Sequence, residues 1–183
     1  MMWSLPLAVE IDGIKHNIRN KCDYRVVLDV IEVFKDEELG DNEKIVCALI
    51  IFYEDVDKIK NREEATKQML KVINLGEEEI EQDNKPKIMD WQHDFQLIAP
   101  PVSRVLGYSV RDVNQYTHWY DFIGAYQEIG ECQFSSVISI RTKRMKGQKL
   151  DKSEEEFYRE NKKMIDLPQK LTKEEQEWLD SDW

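Results

Sequence analysis

The sequence is poor in the residues that would give it an unusual architecture: 7 glycines, 5 prolines and 3 cysteines among 183 residues. So little glycine and proline excludes collagen-like and low-complexity chains. The cysteines, Cys22, Cys47 and Cys132, are odd in number and far apart, with no Cys-x-x-Cys among them. That excludes a disulfide framework and points to a reducing compartment. Long apolar runs are also lacking. The longest, from Ile45 to Tyr53, falls well short of the ~20 residues of a membrane span, so no membrane partner is expected. The opening segment lacks a basic run and is interrupted by Pro6, which is not the pattern of a secretory leader. Positive charge is scarce too. The formal net charge is −11, a field that repels phosphate backbones and disfavours nucleic acid as a partner.

Motifs of chemistry are equally thin. Gly-x-Gly-x-x-Gly, Gly-x-x-x-x-Gly-Lys and Gly-x-Ser-x-Gly are absent, and His16, His93 and His118 show no His-x-x-x-His spacing. Neither a catalytic residue, a cofactor nor a metal is expected, and the chain does not read as an enzyme. Two arrangements compete with that reading. His118 and Asp121, three residues apart, would form an acid/base pair on one helical face; a histidine in the first turn of a packed helix is the plainer account. Asp90, His93 and Asp94 would hold a divalent metal, but carboxylates at a helix start complement its dipole without one.

What is present is helical. Apolar residues make up 41% and charged residues 34%, a globular composition. Val9 to Ile18 alternates around Asp12-Gly13, predicting a β-hairpin that must pack on something to persist. Asp23 is expected to cap a helix with the face Val26, Val27, Val30, Ile31 and Phe34. Gly40-Asp41-Asn42 interrupts it, and Asp41 is expected to cap a second helix, apolar almost all round from Ile45 to Phe52, hence central in a bundle. Asn61 with Glu64 opens a third, with the seam Ala65, Met69, Val72 and Ile73 and Gly76 as its C′ stop.

An acidic stretch ending at Pro86 then reads as a linker. The expected organisation is therefore an N-terminal hairpin-plus-helices unit over 1–76, a linker over 77–89 and a C-terminal helical unit over 90–183: mainly α, in helical bundle units with a small N-terminal β-hairpin. In the second half Asp90 caps a short helix that Pro100-Pro101 should end or kink. Pro101 would open a further turn up to Gly107. Thr117 starts a helix with Trp119, Phe122, Ile123 and Tyr126 on one face. Another carries Phe134, Val137, Ile138 and Arg141. Asp151 with Glu154 caps a helix running to Met164, and Thr172 with Glu175 starts a short last one near Trp178 and Trp183.

The basic run Arg141 to Lys149 reads first as helix C-terminal cations meeting Glu154-Glu155-Glu156, with contact to phosphates or to a neighbouring acidic patch as other uses. Trp119 and Tyr120 point about 100° apart on a helix. Rings on more than one face suggest exposed binding anchors.

The stretch Asp94-Phe95, Leu106-Gly107-Tyr108, Tyr116 through Tyr126, Glu128 to Glu131 and Ile138-Ser139-Ile140-Arg141, with Lys146 to Tyr158 behind it, resembles the phage gene-product-fifteen family. The hairpin, Asp23-Tyr24-Arg25 and Glu64-Ala65 are similar to its first half, while Pro100-Pro101 and Tyr120 depart from the pattern. That family sits in the tail gene cluster of phages and prophages of Gram-positive bacteria, beside the tape-measure gene. The resemblance implies a tail assembly chaperone that binds the tape-measure protein, with the tail-tube protein and a second copy left open as further partners. It implies the cytoplasm of the infected or lysogenic host and absence from the mature virion. A minor structural subunit retained in the tail is the alternative, and a metal-dependent hydrolase using His93, Asp94 and His118 is a third reading. The expected partner-binding residues are Trp119, Tyr120, Phe122 and Tyr126, with Arg141 anchoring its helix pair.

Overall fold

A computed structural model describes residues 4–77 and 87–168. The greater part of the expected linker (78–86) and the expected last helix from Thr172, with Trp178 and Trp183, lie outside the described residues. Among the described residues the protein is mainly α, with eight α-helices and one two-stranded antiparallel hairpin. The chain forms two compact units, Met1–Lys85 with Leu97–Gly130 and Pro86–Gln96 with Glu131–Trp183. This is not the expected split into 1–76 and 90–183, because residues 97–130 belong with the N-terminal segment.

In the first unit, β1 (Ala8–Ile11) pairs with β2 (Ile14–Asn17), Val9 opposite His16. Asp12 at φ 51 and Gly13 at φ 77 give the two left-handed residues of a tight hairpin turn. The hairpin packs on α3 (Arg62–Ile73). Helix α1 (Tyr24–Lys35) begins where the Asp23 carboxylate accepts from the Arg25 N–H at 3.1 Å. Its other oxygen accepts from the Thr117 N–H at 3.2 Å, so one side chain caps α1 and pins a segment far along the chain. Backbone bonds Tyr24 N–H to Thr117 and Trp119 N–H to Cys22, both 2.9 Å, complete that bridge. They are the reason residues 97–130 belong to this unit.

Helix α2 (Asp41–Phe52) starts at Gly40, whose N–H donates to Glu43 Oε2 at 2.8 Å. The expected cap, Asp41, is instead the first helical residue. Its C-terminus is closed by Arg19, whose guanidinium donates to the carbonyls of Ile51 (3.0 Å), Ile50 (2.9 Å) and Tyr53 (2.8 Å), satisfying acceptors a helix end leaves orphaned. Helix α3 is capped by Asn61, which accepts from Glu64 N–H at 3.1 Å. It ends with Leu75 at φ 58 in the left-handed position and Gly76 at φ 97 after it, so Gly76 lies one residue beyond its expected place.

Helix α4 (Trp91–Leu106) runs on through Pro100 and Pro101, so of the two expected effects the prolines do not end it. Asp90 caps it, accepting from His93 N–H at 2.9 Å. A proline's fixed φ suits a helix, and its cost is the missing N–H. The two lost bonds are those that would reach the carbonyls of Gln96 and Leu97, the residues between which the two units divide. Helix α5 (Trp119–Gln127) is capped by His118 rather than Thr117.

In the second unit, α6 (Gln133–Met145) packs with the short α8 (Lys162–Ile165), and α7 (Lys152–Glu160) joins them. Asp151 and Glu154 exchange backbone bonds of 2.9 and 3.0 Å as a capping box. The helix expected to run on to Met164 breaks at Asn161, whose amide donates to the Phe157 carbonyl at 3.0 Å.

Candidate partner-binding surfaces

The aromatic stretch divides by burial. Trp119 (3% exposed) and Phe122 (0%) are core. Phe122 stacks on Tyr24 with centroids 4.3 Å apart, and Trp119 stacks on Phe122 at 6.0 Å. The Trp119 indole N–H donates to Ile73 O at 2.9 Å, a carbonyl at the end of α3, and Tyr24 Oη donates to Val110 O at 2.8 Å. Both polar handles are thus used inside the unit, as buried aromatics require. Of the expected anchors only Tyr120 and Tyr126 keep exposed area.

His118 is fully buried. Its Nδ1 accepts from Tyr120 N–H at 3.0 Å and Nε2 lies 3.4 Å from Pro6 O, so Nδ1 is unprotonated and the proton sits on Nε2. Both nitrogens are committed to backbone, which removes the acid/base pairing with Asp121. Burial holds the ring below the ordinary histidine range, with the Pro6 carbonyl opposing.

Arg141 is buried in the second unit. It pairs bidentately with Asp94 at 2.7 and 2.8 Å and donates to the carbonyls of Ile88 and Met164, both 3.1 Å, and of Ile165. It ties the start of α4 to α6 and α8 from inside, and presents little surface to a partner. His93 Nε2 lies 3.3 Å from Met164 O. His93 and Asp94 belong to one unit and His118 to the other. Among the described residues no group of three or more His, Cys, Asp or Glu is placed to hold a metal. The basic run is largely spoken for: Lys143 pairs with Glu154, and Arg144 pairs with Asp166 and lies 4.0 Å over the Tyr158 ring.

Sequence reasoning missed an open apolar surface. Helix α2, expected in the middle of a bundle, buries only Ala48, Leu49 and Phe52. Its neighbours α1 and α3 leave Ile50 48% exposed and Ile45, Val46, Cys47 and Ile51 half-buried. Between α2 and α3 lies a groove of about 740 Å³. Ile45, Val46 and Leu70 supply its apolar lining, and Asn42, Arg62 and Lys67 are among its polar margins. A second groove, about 650 Å³ between α6 and α7, is serine-rich, with Ser135, Ser136, Ser139 and Ser153 on its walls beside Ile140 and Phe157. The apolar run from Ile45 to Phe52 marked the helix in the sequence, but not which part of it stays uncovered.

The sequence pattern of the Bacteriophage Gp15 protein family matches residues 1–167. The chain belongs to that family. Among curated proteins and solved structures nothing matches it. Family membership makes it a phage protein. The match extends over segments of both units. No helix among the described residues is long and apolar enough to cross a membrane.

Proposed function

We propose that this Gp15-family protein is a tail assembly chaperone, which binds the tape-measure protein and keeps it soluble until the tail tube polymerises around it. The observation that carries the reading is the open apolar face of α2 with the groove beside it. A tape-measure protein is long and helical, with apolar seams that associate before a tube encloses them. Such seams are matched by a helix-lined groove that accepts the apolar face of another helix. The net charge of −11 keeps a protein made in many copies from associating with itself. Binding at each groove is modest, and many copies along one filament supply the hold, so polymerising tube subunits can displace them. The chain works by binding alone, in the cytoplasm of the host cell.

The test is to express the tape-measure gene of the same phage with and without this protein. The proposal predicts a tape measure that moves from the pellet to the soluble fraction and co-purifies with the chain. Equal aggregation in both cases, with nothing co-purifying, removes it.

A further inference from the structure

We infer that the α2–α3 groove is built for an amphipathic helix whose apolar stripe is flanked by glutamate or aspartate. The inference rests on the helix-binding reading above and names the partner's chemistry at that same site. Charge complementarity carries it. Several cations of this acidic chain are paired, Lys35 with Glu32, Arg141 with Asp94, Lys143 with Glu154 and Arg144 with Asp166. Arg62 and Lys67, exposed on the groove margin, have side chains that make no ion pair or hydrogen bond among the described residues. With Glu63 on the same margin, the rim carries two positive charges to one negative, against a chain of net charge −11.

Geometry selects a helix. Both walls are helices, so a bound segment finds no sheet edge and must satisfy its own backbone groups, as a helix does. Arg62 to Leu70 covers about 12 Å of helix axis, matching roughly eight residues, or two turns, of a partner. Arg62 and Lys67 stand about 7.5 Å apart along that axis, near the spacing of carboxylates four or five residues apart on one helix. Val46 and Leu70 meet the apolar stripe, and Ile50, one turn beyond Val46 on α2, extends it. A second copy is a poorer occupant. A two-fold contact through this groove would bring the same cations of both rims together, and the two acidic chains repel.

The test titrates the full-length chain against two labelled helical peptides of about 18 residues, long enough to be helical when bound, sharing one leucine stripe. One carries glutamates beside the stripe and the other lysines. The whole-chain charge favours the lysine peptide, so the two expectations are opposed. The inference predicts that the glutamate peptide binds about tenfold tighter, a difference that two well-placed ion pairs can supply. Arg62→Glu with Lys67→Glu, both at exposed sites, should reverse the preference while circular dichroism is unchanged. Val46→Asp should weaken both peptides about tenfold or more. Tighter binding of the lysine peptide overturns the inference. So does a preference that the charge reversal leaves untouched, or a wild-type dimer in sedimentation that Val46→Asp dissociates.

Tape-measure solubility is scored in parallel. A solubilised tape measure without the glutamate preference removes the acidic-flank inference and leaves the chaperone reading. A glutamate peptide held in the groove by a protein that never solubilises the tape measure does the reverse.

Discussion

Arg141 and Asp94 place a full charge pair inside the second unit, with Asp94 at 0% exposure. Removing one partner of such a pair leaves the other charged and desolvated, which costs about 3–5 kcal/mol. Arg141→Ala should therefore lower the denaturation midpoint severely, and Asp94→Leu with Arg141→Leu should recover much of the loss. If the single variant unfolds like wild type in a urea titration, the pair does not hold α4 to α6.

His118 gives a pH signature. Its folded-state pKa is lowered by burial, so below the ordinary value of about 6.5 the unfolded chain takes up a proton that the folded one refuses. Stability is complete above that pH and falls as the pH drops through it towards the folded value. His118→Asn, which keeps a side-chain acceptor for Tyr120 N–H but does not titrate, should flatten the urea midpoint across that window. An equal slope in both proteins would remove His118 as its source.

The C-terminus of α2 is closed by one side chain. Arg19→Ala deletes the group that binds three carbonyls at its end, and should destabilise the first unit by about 1–3 kcal/mol in thermal unfolding; an unchanged midpoint would mean water replaces the guanidinium. Elements set by local chemistry were readable in advance. The Asp12-Gly13 turn, the Asp23, Asn61 and Asp90 caps and the Asp151–Glu154 box each depend on residues within four positions of one another. Elements set by distant partners were not. Nothing local marks Asp94 as the mate of Arg141, or Arg19 as the closure of α2. Asn20, Lys21 and Cys22 run through three successive left-handed conformations, φ 48, 56 and 64, with no glycine to announce them. They are held by the Tyr116 hydroxyl on Lys21 O at 2.8 Å and by Trp119 N–H on Cys22 O at 2.9 Å. The double proline misled because helix-breaking rules count the lost N–H groups and not the packing around them: Ile98, Ala99 and Val102, on either side of the prolines, are buried.

For the whole molecule, the readable and unreadable parts meet on α2. Its composition announced burial, but only the fold shows that α1 and α3 leave part of that apolar surface open. A helix with such a face in an acidic phage protein is suited to holding another helix. The aromatic cluster that first suggested a binding site instead ties α5 to α1 and α3. If the protein binds a helix as proposed, the binding energy is expected from Ile45, Val46, Ile50 and Leu70.

The most direct measurement is light scattering of the purified tape-measure protein on dilution from denaturant, with wild-type chain or with a folded Val46→Asp, Leu70→Asp variant added. The account predicts that wild type suppresses aggregation in proportion to its concentration and that the variant fails at the same concentrations. Equal suppression by both would contradict the groove as the holding site, and suppression by neither would contradict chaperoning by this protein.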